Sequence, residues 1–485
     1  MTSPFQSTIL QEAPAALPSP TPGQLPNLGP VGDRYAFTDL GNAQRLVARH
    51  GQNLRYCPAW KKWLIWDGKR WRKDDTGEIL RQAKETIRAF HLDALDIQDS
   101  GQRGQAVKHA LKSQYEGRLT AMVGLAESEP GIPVRPNDLD RDPYLLNCSN
   151  GTVELKTGTL RPHRREDLIT KLAPVEYEPT AECPMFKSFL WDILGGDKNL
   201  IGYLKRVVGH ALTGDVTEKA IFFLYGDGNN GKTTFLEAIR EVLGDYAGQI
   251  PIESLMVKQG DGISNDIARL KGLRFVTSSE AEQGKKLAEQ KVKQLTGMGK
   301  VQARFLYGEF FEFDPTYKVF MDANHKPEIR GTDSAIWNRI KLIPFIVEIS
   351  PEKMDKKLLQ KLKAELPGIL AWAVQGCLNW QKSGLGEPKA VTAATQGYRE
   401  EMDTVGRFLE EECDLGGDYD TTSKALYDAY KKWCQDRQEE AVSAKQLGSA
   451  LGKKGLKAAR PDGQRGWHGI TFKLKGPLFA DNPDT

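Results

Sequence analysis

The fold of this chain is limited above all by a short apolar run that leads directly into a glycine-rich loop. Residues 220–225 read AIFFLY and residues 226–233 read GDGNNGKT. Glycines let a backbone turn with its N–H groups inward, while the lysine offers a cation to the β- and γ-phosphates and the threonine offers a hydroxyl to Mg²⁺. The alternative is a glycine turn beside a surface lysine, but residues 234–243 have the spacing of a helix whose N-terminus faces phosphate.

The pattern therefore predicts a nucleoside triphosphate as the ligand. The predicted nucleotide-binding residues are Gly226, Asp227, Gly228, Asn229, Asn230, Gly231, Lys232, Thr233 and Thr234.

Length and composition limit the other possibilities. The 485 residues suffice for about three domains, and 67 basic against 64 acidic residues leave a net charge of +3 that indicates no partner. The six cysteines lie far apart, which predicts reduced thiols and no zinc site. No apolar run approaches the ~18 residues of a membrane span, and no secretory signal pattern is present. We expect a soluble, cytoplasmic protein with no membrane partner.

The chain divides into four predicted regions. Residues 1–34 are rich in proline and predict a disordered leader. Residues 35–182 carry mixed signals typical of an α+β domain, residues 183–392 contain the phosphate loop, and residues 393–485 are predicted to be helical, charged and finally basic. The predicted fold class is α/β.

An aromatic cluster in the second region has two interpretations. The segment from Trp60 to Trp71 interleaves tryptophans with lysines and arginines. It could stack and clamp single-stranded nucleic acid. The favoured alternative is a pair of strands with a packed aromatic face and solvated lysines.

Two acidic residues follow a predicted strand at residues 273–278. Mg²⁺ needs hard oxygen ligands near the phosphates, and an attacking water needs a carboxylate to orient it. We expect Glu280 and Glu282 to share these tasks, with Glu280 joining Thr233 at the metal. The alternative is a pair of solvated acids after a core strand.

Two further polar residues are candidates for catalysis. Asn324 ends the apolar run YKVFMDAN, where its amide could hold the attacking water or sense the γ-phosphate, although a turn-forming asparagine is the ordinary alternative. Arg339 could reach the nucleotide of a neighbouring subunit and stabilise transition-state charge. Its alternative is a surface arginine paired with Asp333, and Arg330 is a weaker candidate for the same role.

The C-terminal segment carries the positive charge. Residues 423–476 hold twelve Lys and Arg against five Asp and Glu, a net charge of +7. Helices are predicted at 423–438 and 443–454, followed by a β-like end at 466–474. This order suits a winged helix that contacts phosphates, although a basic solvated face without a ligand is the alternative. The candidate DNA contacts here are Lys453, Lys454 and Arg465.

In combination, the segments GDGNNGKT, RFVTSSEAE, VKQLTGMGKVQARFLYGEFFEFDPTYKVFMDANHKP and WNRIKLIPF resemble superfamily 3 helicases. More closely, they are similar to the helicase part of phage and plasmid primase-helicases, a family that includes the poxvirus enzyme. The segments TDLGNAQRLV and NLRYCPAWKKWLIWDGKRW resemble the domain that precedes the ATPase in that family, and residues 423–475 resemble its winged-helix module.

The resemblance implies an AAA+ type P-loop ATPase that forms a hexameric ring, uses ATP and Mg²⁺, and pulls single-stranded DNA through its centre. It places a DNA-touching hairpin at residues 301–306 and 310–314. The implied catalytic residues are Lys232, Thr233, Glu280, Glu282, Asn324 and, donated by a neighbouring subunit, Arg339.

The hairpin departs from the family pattern. Relatives commonly carry an acid after LTGG and a lysine near the hairpin tip, whereas this chain has Met298 after LTG and Gly308 at the tip. The residue that grips DNA is therefore open, and the candidates are Lys300, Arg304 and Tyr307.

Together these features predict an ATP-dependent replicative DNA helicase of a phage, prophage or plasmid, acting in the cytoplasm of a bacterial host. The alternatives are a translocase that remodels DNA without separating strands and a scaffold that binds ATP and an origin and recruits other proteins. Because only a short leader precedes residue 35, we expect no primer synthesis by this chain and a separate primase or host replication proteins as partners.

Overall fold

A computed structural model describes residues 35–257, 265–278, 284–305, 308–331 and 333–473. The chain separates into two compact units. The first contains the residues up to Arg141 together with His163–Thr170, and the second contains Asp142–Pro162 and the residues from Lys171 onward. Within the described ranges no helix is both long and apolar enough to cross a membrane.

The first unit packs four helices with a small antiparallel sheet of order β1-β2-β3. Side chains from α1, α2, α4 and the sheet form its main core, which includes Leu46, Ile65, Ile87 and Met122. Its elements are α1 (Asp39–His50), β1 (Leu54–Cys57), β2 (Lys62–Trp66), β3 (Trp71–Lys73), α2 (Glu78–Leu95), α3 (Ser100–Ser113) and α4 (Glu116–Ala126).

Burial of the tryptophans favours the packed interpretation of the aromatic cluster. Trp63 and Trp71 are 7% and 0% exposed, and the Trp71 ring lies 5.7 Å from the ring of Trp66. The ammonium of Lys73 lies over the ring of Trp60. The two most buried rings are therefore part of the unit's core, where they could not stack on bases.

The second unit begins with an antiparallel meander and continues into a parallel sheet with its surrounding helices. Its elements up to residue 344 are β4 (Leu145–Cys148), β5 (Gly151–Glu154), β6 (Thr159–Arg161), α5 (Pro184–Ile193), α6 (Lys198–Ala211), β7 (Ile221–Tyr225), α7 (Lys232–Leu243), β8 (Ala247–Ile250), α8 (Asn265–Ala268), β9 (Phe275–Ser278), α9 (Glu289–Leu295), β10 (Val301–Arg304), β11 (Phe310–Phe313), β12 (Lys318–Ala323), α10 (Ser334–Trp337) and β13 (Ile340–Pro344).

Five parallel strands form the central sheet, in the order β13-β7-β12-β9-β8. Both faces are covered, which explains the continuous apolar sequence of β7. Phe222 and Phe320 belong to the core shared with α6, α7 and α12, whereas Phe223 and Met321 belong to the core shared with α9, the β10–β11 hairpin and α13. The carboxyl ends of β12 and β13 therefore flank the loop that follows β7.

The remaining elements form a helical region and a small antiparallel sheet of order β14-β16-β15. The helix α16 begins at a capping box in which Ser443 and Gln446 bond reciprocally. These elements are α11 (Leu358–Leu362), α12 (Leu366–Ser383), α13 (Lys389–Met402), α14 (Thr404–Glu412), β14 (Cys413–Thr422), α15 (Ser423–Asp436), α16 (Ala444–Lys453), β15 (Lys457–Ala459) and β16 (Gly466–Phe472).

The strand β14 corrects the expectation that the chain is helical from about residue 395 up to its basic, β-like end. Its sequence, CDLGGDYDTT, lacks the apolar alternation of a half-buried strand. It is a strand because both of its ends pair with β16, with a register shift between Leu415 and Asp420 where Gly416 and Gly417 have positive φ. The partner strand, and not the local pattern, sets its conformation.

Candidate functional site

The GDGNNGKT loop connects β7 to α7, as its position after an apolar run predicts. Two of its glycines are required by close packing. A Cβ at Gly226 would lie 2.1 Å from the carbonyl oxygen of Phe345, and Gly231, at the N-cap of α7, has φ +80° and would place a Cβ 2.8 Å from Ile193. A Cβ at Gly228 would meet nothing within 4 Å, so the protein's own packing leaves this glycine unexplained.

The side chain of Lys232 lies at the centre of the site. It is only 3% exposed, and its Nζ donates to the carbonyl oxygen of Gly226 (2.6 Å), to Oδ1 of Asn230 (2.9 Å) and to Oδ1 of Asn324 (2.8 Å). An ammonium has three N–H donors. A phosphate bound to this lysine would therefore have to replace at least one of these oxygen acceptors.

The amide of Asn230 fixes the loop to the neighbouring strand. Its Nδ2 donates to the carbonyl oxygens of Asp227 (3.0 Å) and Phe345 (3.1 Å), and its side chain is buried. Asn229 adopts a left-handed conformation with φ 56°, which asparagine tolerates better than most residues. The loop is thus held in shape by its own asparagines and by β13.

Asp322 is a site residue that the sequence analysis did not single out. Its Oδ2 accepts a hydrogen bond from the Thr233 hydroxyl at 2.7 Å, and its Oδ1 lies 3.8 Å from Nζ of Lys232. The parallel pairing of β12 with β7 sets Asp322 opposite Leu224, one residue before the end of β7. The sequence did contain a signal for it, because Asp322 is an acidic residue near the end of an apolar strand and only two residues before the catalytic candidate Asn324.

Arg339 lies at the amino end of the parallel strands, whereas the glycine-rich loop follows the carboxyl end of β7. It directly precedes β13, and its carbonyl oxygen accepts from the backbone N–H of Ile221, the first residue of β7. Its Nη1 donates to the carbonyl oxygen of Ala335 at 2.5 Å, while its Nε is buried without a hydrogen-bond partner in the described part of the chain. The five residues of β7 span about 16 Å at ~3.3 Å each. Arg339 therefore cannot reach the glycine-rich loop of its own chain.

Three family descriptions match successive parts of the chain. Residues 43–195 match "D5 N terminal like", residues 224–339 match "Family of unknown function (DUF5906)", and residues 400–467 match "Poxvirus D5 protein-like". The chain is a relative of the poxvirus D5 proteins. The matches at residues 43–195 and 400–467 confirm the resemblance to the poxvirus-type family that the motifs indicated, and the match at residues 224–339 includes the glycine-rich loop and the residues after it.

Curated viral proteins are similar over much of the chain. A protein of Acanthamoeba polyphaga mimivirus named "Putative helicase" is 28% identical over 74% of this chain and 39% of its own length. A "Putative helicase" of Frog virus 3 is 24% identical (65% of this chain, 42% of its own length), and a "Putative primase" of African swine fever virus is 26% identical (56% and 31%). The chain thus spans less than half the length of these relatives.

Solved structures also match this chain. The apo structure of the C-terminal region of NrS-1 covers 89% of this chain and 99% of its own, with a TM-score of 0.46 and 10% identity.

Three predicted site residues, Glu280, Glu282 and Tyr307, lie outside the described residues. Of the predicted catalytic group, the structure brings together Lys232, Thr233 and Asn324. Arg339 is separate, and Thr234 follows within the first turn of α7. The proposed roles of all of these residues stay predictions.

The predicted DNA contacts occupy two places in the second unit. Lys300 and Arg304 are exposed on the β10–β11 hairpin, which has the predicted antiparallel pairing. Lys453, Lys454 and Arg465 are exposed in the C-terminal part, where Nζ of Lys454 lies 2.6 Å from the Asp403 carboxylate.

Arg330, the weaker candidate for a subunit-bridging arginine, is already paired. Its Nε lies 2.7 Å from Glu328, and its Nη2 contacts Glu440 of the C-terminal part. The hydrogen bond from Arg330, followed by that from Lys286, lowers the pKa of Glu440 to about 2. A guanidinium held by two carboxylates is poorly available to a second subunit, which leaves Arg339 as the stronger candidate.

Proposed function

We propose that this chain is an ATP-dependent DNA helicase that acts in DNA replication as a ring-shaped oligomer. The observation that carries the proposal is the convergence of Lys232, Thr233, Asp322 and Asn324 at the glycine-rich loop. A buried lysine that donates to three neutral oxygens at the N-terminus of a helix is arranged to receive a phosphate. The viral proteins named as helicases or primases support the link to replication.

The donor set fits a nucleotide with Mg²⁺. The Thr233 hydroxyl and the Asp322 carboxylate are adjacent hard oxygen groups, and a glycine with open space lies in the same loop. Mg²⁺ would neutralise charge that develops on the phosphates. Lys232 would bind the β- and γ-phosphates, Asn324 would orient the attacking water, and Asp322 would hold Thr233 in place.

The architecture supports the finer assignment of an AAA+ type core with a winged-helix-like C-terminal part. The phosphate loop leaves a central strand of a parallel sheet, at the carboxyl edge where α/β folds bind ligands. The C-terminal part combines α15 and α16 with a three-stranded sheet in a basic segment. A ring of six subunits would bring Arg339 of one copy to the loop of the next.

The sequence prediction and the relatives indicate different kinds of replicating element. The sequence predicts a phage, prophage or plasmid in a bacterial host, whereas the relatives described above are proteins of eukaryotic viruses. A separate primase or host replication proteins stay predicted partners.

The decisive experiment measures ATP turnover by the purified chain with and without single-stranded DNA, beside its mass in solution with ATP. We expect a multi-subunit particle whose turnover rises on adding DNA. A monomer whose turnover ignores DNA would contradict the proposal. A forked duplex then separates a helicase, which unwinds it, from a translocase, which does not, and ATP binding without any turnover would indicate the recruitment scaffold.

Replacing Asp322 with asparagine tests its place at the metal. The change keeps the size of the side chain and removes its charge. We therefore expect the gain in ATP affinity on adding Mg²⁺ to be about 10- to 100-fold smaller in this variant than in the unmodified chain. The measurement is equilibrium binding of a fluorescent ATP analogue with Mg²⁺ and with a chelator. Asp355→Asn, which alters a surface carboxylate paired with Lys361, is the matched control. Equal Mg²⁺ dependence in both variants would exclude Asp322 from the site.

A further inference from the structure

Lys326, two residues after the predicted catalytic amide, is enclosed by groups from β7 and α13. Its ammonium lies over the ring of Tyr225, the last residue of β7, 4.7 Å from the centroid, and over the ring of Tyr398 at 5.6 Å. Its Nζ also lies 2.5 Å from the carboxylate of Glu401, in the last turn of α13. The side chain therefore joins the strand that leads into the glycine-rich loop to a helix that packs against the sheet.

The burial of this lysine differs from that of an ordinary surface ion pair. The Lys326 side chain is 19% exposed, whereas Lys361, which pairs with Asp355 on the surface, is 54% exposed. A cation that is partly removed from water beside aromatic rings is attracted to them more strongly than an exposed one. The contacts therefore restrain the Lys326 side chain and, through it, the backbone at this position.

The turn that carries Asn324 is attached to neighbouring elements at both ends. Before the turn, the carbonyl oxygen of Ala323 accepts from the backbone N–H of Gly226 at 3.3 Å, which joins the end of β12 to the glycine-rich loop. After the turn, the hydroxyl of Tyr398 donates to the carbonyl oxygen of Pro327. The enclosed lysine directly precedes this proline, so it belongs to the second attachment.

We propose that Lys326 is a positioning residue that holds the Asn324 amide at the glycine-rich loop. Its contacts with the rings of Tyr225 and Tyr398 and its ion pair with Glu401 supply the restraint. The inference rests on the proposed function, in which the amide orients the attacking water. The lysine acts through the amide and does not contact the nucleotide. Catalysis depends on small distances between reacting groups, so a shift of the amide by about 1 Å is enough to slow hydrolysis.

The first test replaces Lys326 with methionine in the full-length chain, which keeps an unbranched side chain and removes its charge. We expect kcat for ATP hydrolysis to fall about 10- to 100-fold while KM for ATP changes less than about twofold, because the orientation of the water is disturbed and the binding of ATP is not. Lys326→Arg keeps a cation over the rings and should retain most of kcat. Lys361→Met, which removes a surface cation, is the matched control and should leave both constants unchanged.

A double-mutant cycle separates positioning of the amide from a general structural role. In chains that already carry Asn324→Ala, Lys326→Met should lower kcat by less than about twofold, because the group that the lysine positions is absent. A lysine that only stabilises the fold would lower kcat by the same factor in both backgrounds. Glu401→Gln changes an exposed side chain outside the turn, so it should leave the fold intact and give a smaller loss of kcat that also disappears with Asn324→Ala.

Three outcomes would overturn the positioning role. The first is an unchanged kcat in Lys326→Met, and the second is an equal loss of kcat with and without the Asn324 amide. The third is a higher KM at an unchanged kcat, since the lysine would then bind the phosphates itself. An unmodified chain without ATP turnover would overturn the proposed function as well, whereas normal turnover that is insensitive to Lys326 overturns only the positioning role.

Discussion

Replacing Lys232 with alanine is expected to lower kcat for ATP hydrolysis by at least ~10²–10³-fold, the loss typical of removing one group that stabilises developing charge. The Lys232 ammonium is buried at the glycine-rich loop, where hydrogen bonds to three oxygen acceptors position it. Binding of ATP should weaken as well, because the proposed contact of the lysine with the phosphates already forms before hydrolysis. The measurements are steady-state turnover and equilibrium binding of a fluorescent ATP analogue.

The same substitution has a structural cost that must be measured separately. Without the ammonium, the carbonyl of Gly226 and the amide oxygens of Asn230 and Asn324 lose a buried donor, at a cost of about 1–3 kcal/mol in the free energy of unfolding. Chemical denaturation quantifies this loss. Lys361→Ala, which breaks an exposed ion pair with Asp355, is the control and should change neither stability nor turnover measurably. Turnover within a few-fold of normal in Lys232→Ala would contradict the assignment of the loop.

Replacing Arg339 with alanine is expected to lower kcat by ~10³–10⁵-fold while ATP binding by the same subunit persists, as for an arginine that acts on a neighbour's nucleotide. The physical reason is its position at the start of β13, a full strand length from the loop of its own subunit. Arg339 as a whole is partly exposed, as contact with a neighbouring copy would require. Turnover and nucleotide binding of the purified variant are the measurements.

A mixing experiment distinguishes action between subunits from a structural role. An interface between a Lys232→Ala copy and an Arg339→Ala copy can contain one intact lysine facing one intact arginine, so mixtures of the two inactive variants should recover a fraction of the turnover. Arg330→Ala is the control, because this arginine is already engaged by Glu328 and Glu440. Mixtures as inactive as their components, or normal turnover in Arg339→Ala alone, would refute action across the interface.

The elements around the loop could be predicted because their signals lie in consecutive residues. The apolar run of β7, the glycines after it and the amphipathic start of α7 occupy one continuous stretch. The hairpin and the helices α15 and α16 likewise follow their local patterns to within a few residues. Local conformational preference and the period of apolar residues are enough for such segments.

Other features depend on contacts between residues that are distant in the sequence. The strand β14 is polar and glycine-rich, and its conformation depends on β16, more than forty residues later in the chain. The sequence favoured a packed aromatic face, but the burial of Trp63 and Trp71 also depends on clusters with residues distant in the chain, such as Ile87 for Trp63 and Val134 for Trp71. In both cases tertiary contacts outweigh the weak preference of the local sequence.

The sequence by itself determined the glycine-rich loop, the strand and helix that flank it, and the kinship with the poxvirus D5 proteins, because each depends on residues that are adjacent in the chain. Only the tertiary structure decided that Asp322 meets Thr233, 89 positions apart in sequence, and that Arg339 lies a strand length away from that pair. The order and register of the parallel strands set both distances, and strand order follows from how the whole sheet packs between its two helical layers.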